Sequence, residues 1–205
     1  MRQTAVCLRL AGLEGDCDAA LDWLSVVAQR LWRFEAHQPG LPLDIPIDEW
    51  RRILETNVLS IVRSNAVFLP GLIEQGGGHV VNTGSTAGLY PYAYDRMPYS
   101  TAKAAVVSLS ESMALYLRPL GVGVSCLCPG PVRTNIIEQN RVSGPGLGIR
   151  APKLPLVDPA AVAGLVVDAI RADRFLVLTH PEVHDTLVAR ATDPEAFLTQ
   201  QIAGL

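Results

Sequence analysis

Tyr99 and Lys103 are the two side chains of this sequence whose types and spacing best suit proton transfer. They stand four residues apart in a helix-forming stretch, 98–106, so both side chains lie on one helix face. Tyrosine ordinarily titrates at about pH 10, and a neighbouring ammonium group lowers this pKa because it stabilises the phenolate. The chain has 5 Tyr and two Lys, so chance gives such a pair with odds of about one in twenty. A surface helix with two unrelated side chains is the alternative that the pair alone leaves open.

Three further polar residues are candidates for the same chemistry. Ser85 stands in a turn, where a serine alone is more often a turn or capping residue than a catalytic one. Asn57 falls within a helical pattern, where asparagine usually faces solvent or bonds to the backbone. Asn82, at the end of a strand pattern, either contacts a ligand or braces the strand exit.

The elements that must position these residues alternate along the chain. Short apolar, β-rich runs at 78–83, 121–128 and 174–179 predict buried strands. Helical periodicity predicts helices over 48–75, with Asp44 or Asp48 as N-cap, over 98–120, and from Asp158-Pro159 to 172. Strands that alternate with helices predict parallel crossovers and therefore an α/β, Rossmann-like, doubly wound parallel sheet.

Two loops follow strand exits and are expected at the same edge of this sheet. These are residues 82–88 and 128–135, and ligands of doubly wound sheets bind beyond the carboxyl ends of the strands. The stretch 140–156 is rich in Gly and Pro and is either a lid over this edge or an ordinary surface loop.

Composition excludes several classes of protein. With 205 residues, 49% hydrophobic and 18% charged, one globular domain over 1–205 is expected. A net charge of −3 without a basic run indicates neither a nucleic-acid nor a membrane partner. The four cysteines are interpreted as reduced thiols and no signal peptide is recognisable, so a cytoplasmic location is expected. The four histidines lack metal-ligand spacing, and His180 and His184 are interpreted as surface residues.

The order and spacing of these residues resemble the catalytic half of the short-chain dehydrogenase/reductase family. Ser85-x-x-Gly88 precedes the Tyr-x-x-x-Lys pair by fourteen residues, and Pro129-Gly130-x-Val132-x-Thr134 follows the next strand. The resemblance covers about 44–178, while 1–43 is atypical.

The resemblance implies a role for each matching residue. Tyr99 would exchange a proton with the substrate oxygen, Ser85 would hydrogen-bond that oxygen, and Lys103 would tune the phenol and hold the nicotinamide ribose. Asn57 would hold a water that connects Lys103 with solvent. The residues assigned to catalysis are thus Asn57, Ser85, Tyr99 and Lys103, and those assigned to the cofactor are Asn82, Tyr99, Lys103, Pro129, Gly130, Val132 and Thr134. Tyr90, Tyr92 and Tyr94 are interpreted as pocket wall or loop packing.

The N-terminal part departs from the family pattern. No Thr-Gly-x-x-x-Gly-x-Gly loop is found; Gly12 and Gly15 lack a third glycine, and an expected Asn-Asn-Ala-Gly motif is missing at 33–37. The chain is therefore expected to enter the family fold about fifty residues late, with 4–10 as its third strand and 16–31 as a helix. Without the first two strands of the family fold, one edge of the sheet would be exposed. Trp23, Trp32 and Phe34 either cover this edge or pack on an ordinary helix face.

Two functions remain open at this level. The first is an NAD- or NADP-dependent oxidoreductase that interconverts a carbonyl and a secondary alcohol. The sequence does not indicate which of the two nucleotides is used, because the residue that distinguishes a ribose hydroxyl from a 2′-phosphate falls in the missing segment. The second is a non-catalytic, truncated relative that acts as an oligomerising or binding protein. A third explanation is an incomplete gene product with an upstream extension. The family resemblance implies a homodimer or homotetramer in either functional case.

Overall fold

A four-stranded sheet forms the centre of the computed structural model, which describes residues 5–8 (backbone only), 40–133 and 152–205. Its strands lie in the order β1 (Ala5–Leu8), β2 (Gly78–Thr83), β3 (Val122–Cys128) and β4 (Leu176–Leu178). The pairs β2–β3 and β3–β4 are parallel, which confirms the predicted α/β sheet.

The edge strand β1 differs from the expectation of a purely parallel sheet. It runs antiparallel to β2, with Ala5 opposite Asn82 and Leu8 opposite His79. An apolar run indicates that a strand is buried but does not indicate its direction. An antiparallel edge strand on an otherwise parallel sheet is a common arrangement.

Two long helical segments cover one face of the sheet. The first consists of α1 (Ile47–Leu54), a π-helical turn (Glu55–Leu59) and α2 (Ser60–Glu74), and it leads into β2. The other segment, formed by α4 (Met97–Leu117) and a 3-10 turn (Arg118–Leu120), leads into β3. The predicted N-cap was wrong: Pro46 occupies that position with an extended backbone and without a side-chain hydrogen bond, and its ring-restricted φ of −63° is compatible with the start of a helix.

The core on this face joins sheet and helices. Val80, Val122 and Val124 pack against α2 and α4, and Ile61 of α2 packs against Val106 of α4. By length and composition alone the stretch Ile47–Glu74 would also suit a membrane span. Its buried residues Ile53 and Ile61 contact Ala102 and Val106 of α4.

The opposite face is covered by α5 (Pro159–Arg171). Asp158 caps this helix as predicted, because its carboxylate accepts a hydrogen bond of 2.9 Å from the Ala160 amide. Val162 and Val166 of α5 pack on Val81, Leu127 and Val177 of the sheet.

Three helices were not predicted from the sequence. A single turn, α3 (Thr86–Leu89), follows β2, and α6 (Val183–Thr192) and α7 (Pro194–Ala203) follow β4. Val183 and Phe197 of the last two pack over Cys126 and Cys128 of β3. These two cysteines are buried free thiols with their Sγ atoms 3.7 Å apart.

Candidate active site

The loops that leave β2 and β3 meet at one edge of the sheet, as the sequence predicted. The Gly84 amide donates to the Leu127 carbonyl at 2.7 Å, and the Thr86 amide donates to the Pro129 carbonyl at 3.0 Å. These two bonds fix the turn that carries Ser85 against the turn that begins at Pro129.

Ser85 is held at this edge by the short helix α3. Its backbone is extended, and its Oγ accepts a hydrogen bond of 3.2 Å from the Ala87 amide, which makes Ser85 the N-cap of α3. Its side chain therefore has a fixed direction, as a substrate-orienting hydroxyl requires, and the capping interpretation also holds.

Tyr99 and Lys103 lie together on the first turns of α4. The Lys103 Nζ stands 5.6 Å from the centre of the Tyr99 ring and donates to the Thr83 carbonyl at 2.9 Å. The whole Lys103 residue is inaccessible to solvent, and Tyr99 is buried. Because Thr83 ends β2, this bond places the ammonium at the strand exit that leads to Ser85. The surface-helix alternative is thereby excluded for this pair.

Gly88 brings the serine turn and the tyrosine helix into contact. An ideal Cβ at this position would lie 2.5 Å from the Lys103 carbonyl carbon and 2.7 Å from the Ala104 amide nitrogen. Only glycine permits this approach, so the fourth residue of the Ser-x-x-Gly turn sets how closely α3 packs on α4.

Asn57 lies in the π-helical turn between α1 and α2. It is fully buried, and its Nδ2 donates to the Ile53 carbonyl at 3.1 Å. Such single π turns interrupt the helix at the cost of regular hydrogen bonding and are frequent at functional sites. No pattern in the sequence predicted this turn, although Asn57 itself was identified as a candidate.

The residues assigned to the cofactor occupy different environments. Asn82 is fully buried, and its Nδ2 donates to Ser110 Oγ at 3.0 Å, so it braces β2 against α4 and has no exposed surface. Pro129, Gly130 and Val132 lie half-buried beyond β3, and Val132 pairs with Val157 in an isolated parallel bridge.

Several predicted features lie outside the described residues. These are Thr134, the glycine pair at 12 and 15, the segment 33–37, the helix at 16–31, the aromatic residues 23, 32 and 34, and most of the loop 140–156.

The three neighbouring tyrosines line a cavity of about 460 Å³ beside α4. Tyr90, Tyr92 and Tyr94 share this wall with Met97 and with residues of α7, as expected for a pocket or packing role. Burial raises the pKa of Tyr90 to about 12 and also raises the pKa of Tyr92. Both phenols therefore stay protonated near neutral pH, as a wall of the pocket allows.

His180 is not the surface residue that the sequence predicted. It is 2% exposed, whereas the side chain of His184 is 73% exposed. The chain continues past β4 into α6, and this places His180 beneath the Gly130 turn, a contact between residues fifty apart that no local pattern reveals.

Comparison with known proteins identifies the family. Residues 35–143 match the family model described as short chain dehydrogenase, which is more than half of the chain. Over 159 residues the chain is 36% identical to the probable oxidoreductase EphD of Mycobacterium tuberculosis, a match covering 72% of this chain and 27% of EphD.

Solved structures show the same fold. A short chain dehydrogenase/reductase from Burkholderia phymatum in complex with NAD superposes with a TM-score of 0.67 at 27% identity, covering 87% of this chain and 74% of that one. A short-chain dehydrogenase from Sphingobium yanoikuyae in complex with NADPH has a TM-score of 0.62 at 21% identity, over 91% and 71% of the chains. With the family-model match, these findings show that the chain belongs to the short chain dehydrogenase family.

Proposed function

We propose that this chain is an NAD(P)-dependent oxidoreductase that interconverts a carbonyl group and a secondary alcohol. The observation that carries the proposal is the buried pair of Tyr99 and Lys103, which α3 and Gly88 hold beside the Ser85 turn. The names of the related oxidoreductases and the nucleotides in the solved family members support it.

The residues at the strand exits fit the nicotinamide end of such a cofactor. Lys103 brings an ammonium group with three donors to the exit of β2, where Thr83 fixes it. Gly130 and Val132 stand half-buried at the exit of β3, the edge at which doubly wound sheets bind nucleotides. When bound, the nicotinamide supplies or accepts the hydride.

Tyr99 would hold the proton that the substrate oxygen gains or loses. The Lys103 charge, 5.6 Å from the ring centre, stabilises the phenolate that forms when the proton leaves. A well-placed general acid contributes about 10²–10⁴-fold to the rate.

Ser85 and Asn57 would complete the proton path. The Ser85 hydroxyl, fixed as the cap of α3, would hydrogen-bond the substrate oxygen and so orient it toward Tyr99. Asn57, which lies buried in the π turn, would hold a water that connects Lys103 with solvent and so returns the proton.

The substitution Tyr99→Phe tests this function. With a panel of ketones and secondary alcohols and both nucleotides, we expect turnover by the wild type and a loss of about 10²–10⁴-fold in Tyr99→Phe. Tyr116→Phe is the matched control, because Tyr116 lies on the same helix with 63% of its surface exposed. Equal turnover by the wild type and Tyr99→Phe would overturn the assigned role. Oligomers with no nucleotide affinity would favour the non-catalytic alternative.

We also propose that the chain forms a homodimer or homotetramer through its two long helical segments. Val67 of α2 is 71% exposed and Leu115 of α4 is 81% exposed, and Val62 adds further apolar surface. Light scattering after gel filtration would show a multimer for the wild type and a lower mass for Leu115→Asp. A monomeric wild type at micromolar concentration would contradict this assembly.

A further inference from the structure

Thr179 and His180 connect the end of β4 to the turn that follows β3. The Gly130 amide donates to Thr179 Oγ1 at 3.0 Å, and Thr179 Oγ1 lies 2.7 Å from His180 Nδ1. On its far side His180 places Nε2 2.8 Å from the Pro155 carbonyl oxygen. The end of β4 thus binds two segments that are separate in sequence, the Gly130 turn and the chain at Pro155.

The direction of each hydrogen bond follows from its partners. A carbonyl oxygen only accepts, so His180 Nε2 carries a proton and donates it to Pro155. In the neutral imidazole Nδ1 is then an acceptor, and it receives the hydroxyl proton of Thr179. The Thr179 oxygen keeps a lone pair for the Gly130 amide. The relay runs from Gly130 through Thr179 and His180 to Pro155, with every proton used.

Packing makes this relay rigid. His180 is 2% exposed and Thr179 is buried. An ideal Cβ on Gly130 would lie 2.5 Å from His180 Nδ1, so the glycine backbone rests directly on the imidazole ring. A buried hydrogen-bonded ring at this distance leaves the turn little freedom to move.

The turn so held also touches the serine side of the site. The Pro129 carbonyl accepts from the Thr86 amide at 3.0 Å, next to Ser85. A displacement of Gly130 would therefore reach both the nicotinamide edge proposed above and the helix that Ser85 caps.

We propose that Thr179 and His180 are positioning residues that clamp the Gly130 turn and thereby set the nucleotide-binding edge of the site. This inference rests on the proposed function for its nucleotide half, whereas the clamp itself rests on the hydrogen bonds alone. Neither residue is assigned a contact with substrate or cofactor.

Four substitutions test the Thr179 and His180 parts of the clamp separately. Thr179→Val keeps the shape and removes the acceptor of the Gly130 amide, while Thr179→Ser restores it. His180→Asn keeps a polar atom near the Nδ1 position and loses the hydrogen bond to Pro155. His180→Gln keeps a polar atom near the Nε2 position and loses the hydrogen bond to Thr179. His184→Gln is the exposed control.

The first readout is hydrogen exchange at Gly130. Proline carries no amide hydrogen, so Gly130 supplies the single exchangeable amide of 129–131. We expect exchange about tenfold faster in Thr179→Val, a smaller acceleration in His180→Gln, and wild-type exchange in Thr179→Ser and His184→Gln, since one net hydrogen bond is lost. The second readout is the dissociation constant of NADH and NADPH, expected to rise about 2- to 12-fold in Thr179→Val and to recover in Thr179→Ser.

The outcomes are distinguishable. Unaltered Gly130 exchange in Thr179→Val would overturn the clamp. Faster exchange with an unchanged nucleotide affinity would overturn the positioning role. Absence of nucleotide binding by the wild type would overturn the proposed function and the positioning role. Hydrogen exchange at Gly130 would still test whether Thr179 and His180 clamp the turn.

Discussion

Gly88→Ala is the substitution that most directly tests how the site is assembled. The new methyl carbon would lie 2.5 Å from the Lys103 carbonyl carbon, 2.6 Å from its oxygen and 2.7 Å from the Ala104 amide nitrogen. Carbon atoms in contact prefer a separation of about 3.5–4.0 Å, so α3 and α4 must separate by about 1 Å. All three atoms belong to the backbone, and no side-chain rotation relieves the contact.

The expected cost follows from this geometry. Overpacking of a tight contact costs about 1–3 kcal/mol in the free energy of unfolding, and the helix preference of alanine over glycine offsets about 0.5–1 kcal/mol of it. Because Ser85 caps α3 and Lys103 stands on α4, the same displacement separates two residues of the proposed site. A misplacement of about 1 Å lowers the catalytic efficiency by about 10²-fold.

Urea unfolding and steady-state kinetics measure the two effects. Gly164→Ala is the matched control, since that glycine lies in α5 with nothing within 4 Å of its ideal Cβ. We expect the control to be equally or more stable than the wild type by up to about 1 kcal/mol, with unchanged kinetics. If Gly88→Ala matched Gly164→Ala in both stability and activity, the close packing of α3 on α4 would not control the site.

Three further outcomes are expected. Burial lowers the pKa of His79 from 6.5, so below that pH the unfolded chain binds a proton at this residue more readily than the folded chain does. The free energy of unfolding should therefore fall as the pH drops below 6.5. An equally steep fall in urea titrations of His79→Gln would refute this. The Tyr90 phenol, with a pKa of about 12, stays protonated, so Tyr90→Phe should leave the pH dependence of turnover unchanged near neutrality, and a shifted profile would contradict its role as pocket wall. Asp158→Ala removes the cap of α5 and should cost about 0.5–2 kcal/mol in thermal unfolding, while Asp158→Asn keeps most of the stability; equal losses in both would argue against the cap.

Much of the fold was predictable because its signals are local. The strand at 78–83 and the helix beginning at Asp158-Pro159 are marked by short-range composition and by capping chemistry, and both appear as predicted. The direction of β1 was not predictable, since an apolar run pairs with either orientation. Pro46, with an extended backbone and no side-chain hydrogen bond, stands at the N-cap in place of the predicted Asp44 or Asp48, because the chain enters the helical conformation between these two residues.

The candidate site was predictable where a motif is contiguous. A spacing of four is enough to bring Tyr99 and Lys103 together on α4. The Gly130–Thr179–His180 relay was not predictable, because it depends on where β4 ends relative to β3. The same holds for the packing of Gly88 on Lys103, where the sequence shows a glycine but not the helix that approaches it.

Calorimetric titration of the chain with NADH and NADPH is the most direct test of the proposed oxidoreductase. We expect saturable binding of at least one nucleotide. Lys103→Met should weaken that binding by about tenfold or more, because the charge-assisted hydrogen bond that we propose between Lys103 and the nucleotide would be lost. Lys153→Met, which alters the other lysine of the chain, should not weaken it. A wild type that binds neither nucleotide at millimolar concentration would contradict the proposed oxidoreductase.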